Sequence, residues 1–149
     1  MPELPLVERS RREALRRIGR RRIVAVAARP DAIMMPQLSA HKLVASLEGA
    51  EVCGLGRRGK YLWLELDRRP WLVLHFGMTG SFCYLKPGEP APKHWRLDLT
   101  FAHGLRLVLD DPRRFGRVLL VDDPLHEPPV SEVGFDPWSD RLPVATVVA

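Results

Sequence analysis

From about residue 50 onward the apolar residues of this 149-residue chain recur with a period of two, and no other feature restricts the fold as much. Strand-like runs fall at 51–57, 60–66, 71–76, 81–86, 95–101, 105–110 and 116–121, with turn residues between them. Successive side chains of a strand face opposite ways, so short alternating runs at this spacing predict an antiparallel sandwich or barrel. The first fifty residues keep a different rhythm. Between Pro5 and Gly19, Val7, Ala14, Leu15 and Ile18 fall on one face of a helix, with a proline suited to its first turn and a glycine to its stop. Residues 22–29, rich in Ile, Val and Ala, predict a first strand ended by Pro30. A second helix is expected from Ser39, an N-cap residue type, through Leu43, Val44 and Leu47 to Gly49. The class is therefore α+β.

Charge narrows the partners. Residues 1–69 carry 15 basic and 8 acidic side chains, whereas residues 70–149 carry 8 and 10. Eight arginines lie between Arg9 and Arg22, most of them expected on the solvated face of the first helix. A basic half of this kind suits a polyphosphate partner. No apolar run approaches the eighteen residues of a membrane span, and the arginine-rich start lacks the apolar core of a signal peptide, so a cytoplasmic monomer with no membrane contact is expected. Cys53 and Cys83 have no partners at zinc spacing and read as core or half-buried residues, and no metal site is expected. Pro87–Pro92 reads as a loop. The acidic, proline-rich stretch from Pro124 to Pro143 reads as a tail without regular structure.

Several residues carry chemistry. A chain beginning Met1-Pro2 is open to removal of its methionine, which would leave Pro2 with a free secondary amine. Such a terminal amine has a pKa of about 7.7–8.0, far below that of lysine, and attacks carbonyl-like carbons to form Schiff bases. Glu3 follows with a carboxyl group suited to general acid–base assistance. Lys60 follows Gly59 at a strand start, where its ammonium can lie at a sheet end beside backbone with room for an anion. Met78, between Gly77 and Gly80, suits a tight turn that presents a flexible apolar side chain. His41, His103 and His126 lie in no motif and are expected at the surface.

The opening Pro2-Glu3-Leu4-Pro5-Leu6-Val7-Glu8 resembles the start of the formamidopyrimidine-DNA glycosylases, usually P-E-L-P-E-V-E. Arg57-Arg58-Gly59-Lys60-Tyr61-Leu62, His75-Phe76-Gly77-Met78-Thr79-Gly80 and Asp111-Pro112-Arg113-Arg114-Phe115-Gly116 resemble the same family in the same order. The resemblance implies a two-sheet antiparallel β-sandwich flanked by the N-terminal helix and the second helix. It implies damaged double-stranded DNA as partner, and removal of oxidised purines such as 8-oxoguanine and formamidopyrimidines through a Pro2 Schiff base, followed by β/δ-elimination. Glu3 would protonate the opening sugar and Lys60 would contact a phosphate or the damaged nucleotide. Met78, Arg113 and Phe115 would fill the hole left by the everted nucleotide, while His75, His94, Arg57, Arg58 and Arg114 are phosphate-contact candidates. Leu4 favours this branch over the endonuclease VIII branch, which usually has Gly there.

Departures from the pattern leave a second reading open. Leu6 stands where the family usually has Glu, and Trp95-Arg96 interrupt a stretch that often contains His. Family members continue into a helix–two-turn–helix domain and usually a four-cysteine zinc finger, neither of which this chain contains, so no cofactor is expected in it. Residues 1–133 read as the catalytic N-terminal domain and 134–149 as a linker remnant, the chain being a fragment or a natural short paralogue. The alternative is a non-catalytic DNA-binding module that keeps the sandwich and lacks turnover.

Overall fold

In a computed structural model of the chain, residues 4–133 are described. Helix α1 (Leu4–Ile18) leads into β1 (Ile23–Ala28) and α2 (Ala40–Leu47). Then come β2 (Val52–Arg58), β3 (Tyr61–Leu66), β4 (Trp71–His75), β5 (Ser81–Leu85), β6 (Trp95–Phe101), β7 (Arg106–Asp110) and β8 (Arg117–Val121). All strand pairs are antiparallel, in two four-stranded sheets ordered β1-β6-β7-β5 and β2-β3-β4-β8. This is the expected two-sheet α+β sandwich, and each expected strand is present to within one residue at either end.

The alternating residues form the core. Leu62, Leu64, Leu72 and Leu74 of one sheet meet Leu97, Leu99, Phe101, Leu107 and Leu109 of the other. Each fully buried leucine of this kind contributes roughly 2 kcal/mol. The opposite face of β3 and β4 is also covered, by Trp63, Val73, Val121 and Val130, which form a smaller cluster. Burial on both faces accounts for the unbroken apolar runs Leu62-Trp63-Leu64 and Leu72-Val73-Leu74.

Three expectations are corrected. Val130 begins a short 3-10 helix (Val130–Glu132) and is fully buried, so the start of the proline-rich stretch is ordered against sheet β2-β3-β4-β8. The remainder of that stretch, and the tail expected from 134, lie outside the described residues. On α1, Val7, Ala14 and Ile18 are buried as expected, but Leu15 is 38% exposed. Glu8 and Arg11 fill the inner face instead, because their charges have partners on β2. Cys53 is exposed and only Cys83 is half-buried. Helix α2 begins as expected, with the Lys42 N–H donating to Ser39 Oγ at 3.0 Å. His41, His103 and His126 are exposed. Among the described residues no helix is long and apolar enough to cross a membrane.

Candidate functional site

The first turns of α1 are fastened by a buried carboxylate. Glu8 accepts hydrogen bonds from Arg57 Nε and Arg11 Nε at 2.9 Å, and from Arg11 Nη2 and Arg12 Nε at 2.8 Å. Arg11 also donates to the Leu55 carbonyl, and Arg57 to the Gly59 carbonyl at 2.8 Å. The arginines, Arg11 above all, outweigh the desolvation and hold the Glu8 carboxyl at about 2. One chain of contacts thus ties the start of α1 to the turn that carries Lys60. Gly59 in that turn has φ +58°, and a Cβ there would meet Val133 Cγ1 at 2.8 Å, so the chain beyond the 3-10 helix lies against the same turn.

Strand register collects the next group. Tyr61 pairs with His75, and His75 with Arg117, at one end of sheet β2-β3-β4-β8. Lys60 therefore stands one residue from this row, and Arg58 faces Tyr61 across β2 and β3. His75 packs edge-on against Tyr61 with centroids 4.8 Å apart, and its Nδ1 accepts from the Gly77 N–H at 2.9 Å. Burial lowers the His75 pKa, and the Lys60 and Arg117 charges lower it further. A neutral ring that accepts at Nδ1 carries its proton on Nε2, so His75 presents an uncharged donor.

Beyond this row two loops are locked together. Asp111 is fully buried, and its carboxylate accepts from Thr79 Oγ1 at 2.6 Å, the Arg114 N–H at 3.1 Å and the Gly116 N–H at 2.8 Å. One acidic side chain thereby joins the β4–β5 turn to the β7–β8 loop. Gly77, at φ +62°, lies so close to the other loop that a Cβ would overlap the Phe115 carbonyl. A buried carboxylate is tolerable only when its oxygens are satisfied in this way. The residues these loops carry remain in solvent, with Met78 52% and Phe115 43% exposed. The Arg113 guanidinium sits over the Phe115 ring at 4.9 Å.

The structure therefore brings Arg58, Lys60, His75, Met78, Arg113 and Phe115 to one rim of the sandwich. Arg57 belongs there by position but not by exposure. Only 6% of it is accessible, and it faces Glu8 instead of a solvent-borne phosphate, because a carboxylate inside α1 needs a cation. Arg114 pairs with Asp31, Nη1 to Oδ2, at 2.7 Å. The His94 backbone joins the loop, its carbonyl accepting from the Asp111 N–H at 3.1 Å. Pro2 and Glu3 lie outside the described residues. Sequence reasoning quoted Glu8 and Asp111 within motifs without giving either a role, and it passed over Arg117. The available signal was an aspartate opening a turn, a residue type that caps its own loop. Among the described residues no group of His, Cys, Asp and Glu side chains is placed to hold a metal ion.

Residues 1–118 match the model of the formamidopyrimidine-DNA glycosylase N-terminal domain. The formamidopyrimidine-DNA glycosylase of Teredinibacter turnerae is 41% identical over 141 residues, which cover 94% of this chain and 51% of that protein. The chain thus spans about half the length of such relatives. Among solved structures, the Lactococcus lactis enzyme bound non-covalently to DNA containing an AP site matches with TM-score 0.72 and 33% identity, over 80% of this chain and 45% of that one. MutM in complex with DNA containing carbocyclic 8-oxo-G matches with TM-score 0.75 and 31% identity, over 84% and 46%.

Proposed function

Because the chain belongs to the formamidopyrimidine-DNA glycosylase family, a family of DNA-repair glycosylases, we propose that it acts on damaged double-stranded DNA as a glycosylase and AP lyase, removing oxidised purines. In this reading Pro2, freed of Met1, attacks C1′ of the everted nucleotide as the bond from C1′ to the base breaks, and the proline nitrogen gives up its proton to leave a ring-closed aminal. Glu3 supplies the proton to O4′ as the C1′–O4′ bond breaks, which opens the sugar ring and leaves an iminium on the proline nitrogen. Loss of a C2′ proton expels the 3′ phosphate and loss of a C4′ proton then expels the 5′ phosphate, which nicks the strand, and water hydrolyses the remaining iminium to free Pro2. The nucleophile and the ring-opening acid of this route both belong to the chain itself. Residues 1–133 form the catalytic unit, 134–149 are a linker remnant or tail, and the chain acts as a monomer.

The observation that carries the reading is the rim itself. Met78, Arg113 and Phe115 stand exposed on two loops joined by Asp111, at the sheet end that also holds Lys60 and His75. Apolar side chains left in water beside cations suit a partner with both a base stack to enter and phosphates to grip. Lys60 and Arg58 supply charge, and His75 a neutral Nε2–H donor, for the phosphates flanking the everted sugar. The Glu8–Arg57 tie fastens to this rim the helix whose first residue lies two positions after Pro2.

A non-catalytic DNA-binding module is the second reading, and one observation favours it. Leu6, where the family usually carries Glu, is 48% exposed, which removes a carboxylate next to the reacting end. Borohydride trapping separates the two. On a duplex containing 8-oxoguanine or an abasic site, a covalent adduct that disappears when Met1 is retained supports the enzyme. Salt-sensitive binding with no adduct supports the module. Intact mass adds a direct check, since a mature chain that keeps Met1 has no Pro2 amine to react.

A further inference from the structure

We propose that Asp31 is a positioning residue for the DNA-probing pair Arg113 and Phe115, acting through Arg114. The inference rests on the functional reading above and adds to it a residue outside the motifs. Asp31 Oδ2 accepts from Arg114 Nη1 at 2.7 Å. Its other oxygen accepts the Ile33 and Met34 N–H groups at 2.8 and 3.1 Å, and its carbonyl accepts the Met35 N–H at 2.7 Å. The turn so formed is rigid, because Met34 and Met35 are buried in the core. It is also bonded to β8 itself, the Val118 N–H donating to the Met34 carbonyl at 2.8 Å, three residues beyond Phe115. Asp31 is thus a fixed point beside a loop that must be held still.

Arg114 needs such a point. Its φ is +58°, a left-handed conformation that non-glycine residues adopt at a cost and keep only when their surroundings enforce it. Two acceptors hold it: Asp111 Oδ1 takes its N–H and Asp31 takes its guanidinium. Arg113 and Phe115, on either side, meet each other with the guanidinium over the ring at 4.9 Å. Securing the middle residue to the turn presents its two neighbours as one unit. The Arg114 guanidinium, with Met34 and Ile33 N–H groups assisting, holds the Asp31 carboxyl down at about 2, so the pair stays charged throughout the neutral range.

The test uses the whole chain and a duplex with a tetrahydrofuran abasic analogue opposite 2-aminopurine, which reports entry of the probing side chains and cannot form a Schiff base. Asp31→Asn is expected to lower the fluorescence response per bound protein about tenfold, equivalent to ~1.4 kcal/mol. Preference among opposite bases should flatten, while borohydride trapping on single-stranded abasic DNA stays at the level of the parent chain. Arg114→Gly, which accepts the same φ, should show the same fluorescence loss. An unchanged fluorescence response in Asp31→Asn overturns the proposal. So does tighter binding of that variant to every duplex, damaged or not, since Asp31 would then merely be withholding Arg114 from phosphate. Absence of trapping by the parent chain removes the lyase reading alone, because the fluorescence arm does not depend on the covalent chemistry.

Discussion

Two loops of this sandwich look alike in sequence and have become different objects. The β3–β4 turn reads Arg68-Arg69-Pro70-Trp71 and the β7–β8 loop Arg113-Arg114-Phe115, each a pair of arginines running into an aromatic residue. In the first, Arg68 donates to the Glu48 carbonyl, Arg69 to the Asp122 carbonyl, and Arg69 lies 4.1 Å over Trp71. Trp71 packs against the core and donates its Nε1–H to the Leu66 carbonyl at 3.0 Å. The arginines there, themselves exposed, bond back to neighbouring carbonyls, and the aromatic residue is packed on the fold. In the second loop the aromatic ring is left in water, and the inward commitment is made by Asp111 beneath it. Cation–π pairs occur in both loops, so they do not mark function. What separates the loops is which residue carries the packing and which is spared from it.

The largest expected effect breaks the second loop from beneath. Asp111→Ala leaves the Thr79 hydroxyl and two backbone N–H groups without an acceptor, and a loss of about 3 kcal/mol is expected in urea unfolding. The aromatics come next. Trp71→Ala should cost about 2 kcal/mol of stability, whereas Phe115→Ala should stay within about 0.5 kcal/mol while losing the 2-aminopurine response. Equal destabilisation by the two would erase the distinction.

Acid should reveal the fastening of α1 before any effect on the exposed loop. Glu8 is held at about 2 against an ordinary 4.5. A depressed carboxylate stabilises the fold fully above its unfolded pKa, and the gain is lost as pH falls through 4.5 towards 2. Asp31, also held at about 2, contributes in the same direction from its ordinary 3.8 downward. Melting temperature measured between pH 6 and pH 2 should therefore fall, and Glu8→Gln should flatten the fall by about 1–2 kcal/mol. The smallest expected effect is on the arginines. Arg69→Met should cost about 0.5 kcal/mol of stability, and Arg113→Met should cost none and lower DNA binding instead.

The strands were legible because alternation is a local signal. β6 occupies residues 95–101 as expected, and Ser39 caps α2 through a bond three residues away. The exposed tips were legible for a related reason, since Gly77 and Gly80 around Met78 announce a turn. The supports beneath them were not. Glu8 meets Arg57 across 49 residues and Asp31 meets Arg114 across 83. No periodicity encodes such pairs. The same blindness misplaced Leu15, because helical spacing treats a charged residue as an outer one and cannot see that Glu8 and Arg11 have partners waiting on β2. Val130 was missed because one apolar residue among prolines carries no rhythm.

Val133 against Gly59 has one more consequence. The polypeptide leaves its last described residue within a side chain's length of the turn that presents Lys60. If the rim holds duplex DNA as proposed, a DNA-binding unit joined there by a short flexible linker would meet that duplex at an effective concentration in the millimolar range. A downstream unit with feeble affinity of its own would therefore gain avidity from the tether alone, and lengthening the join would erode it.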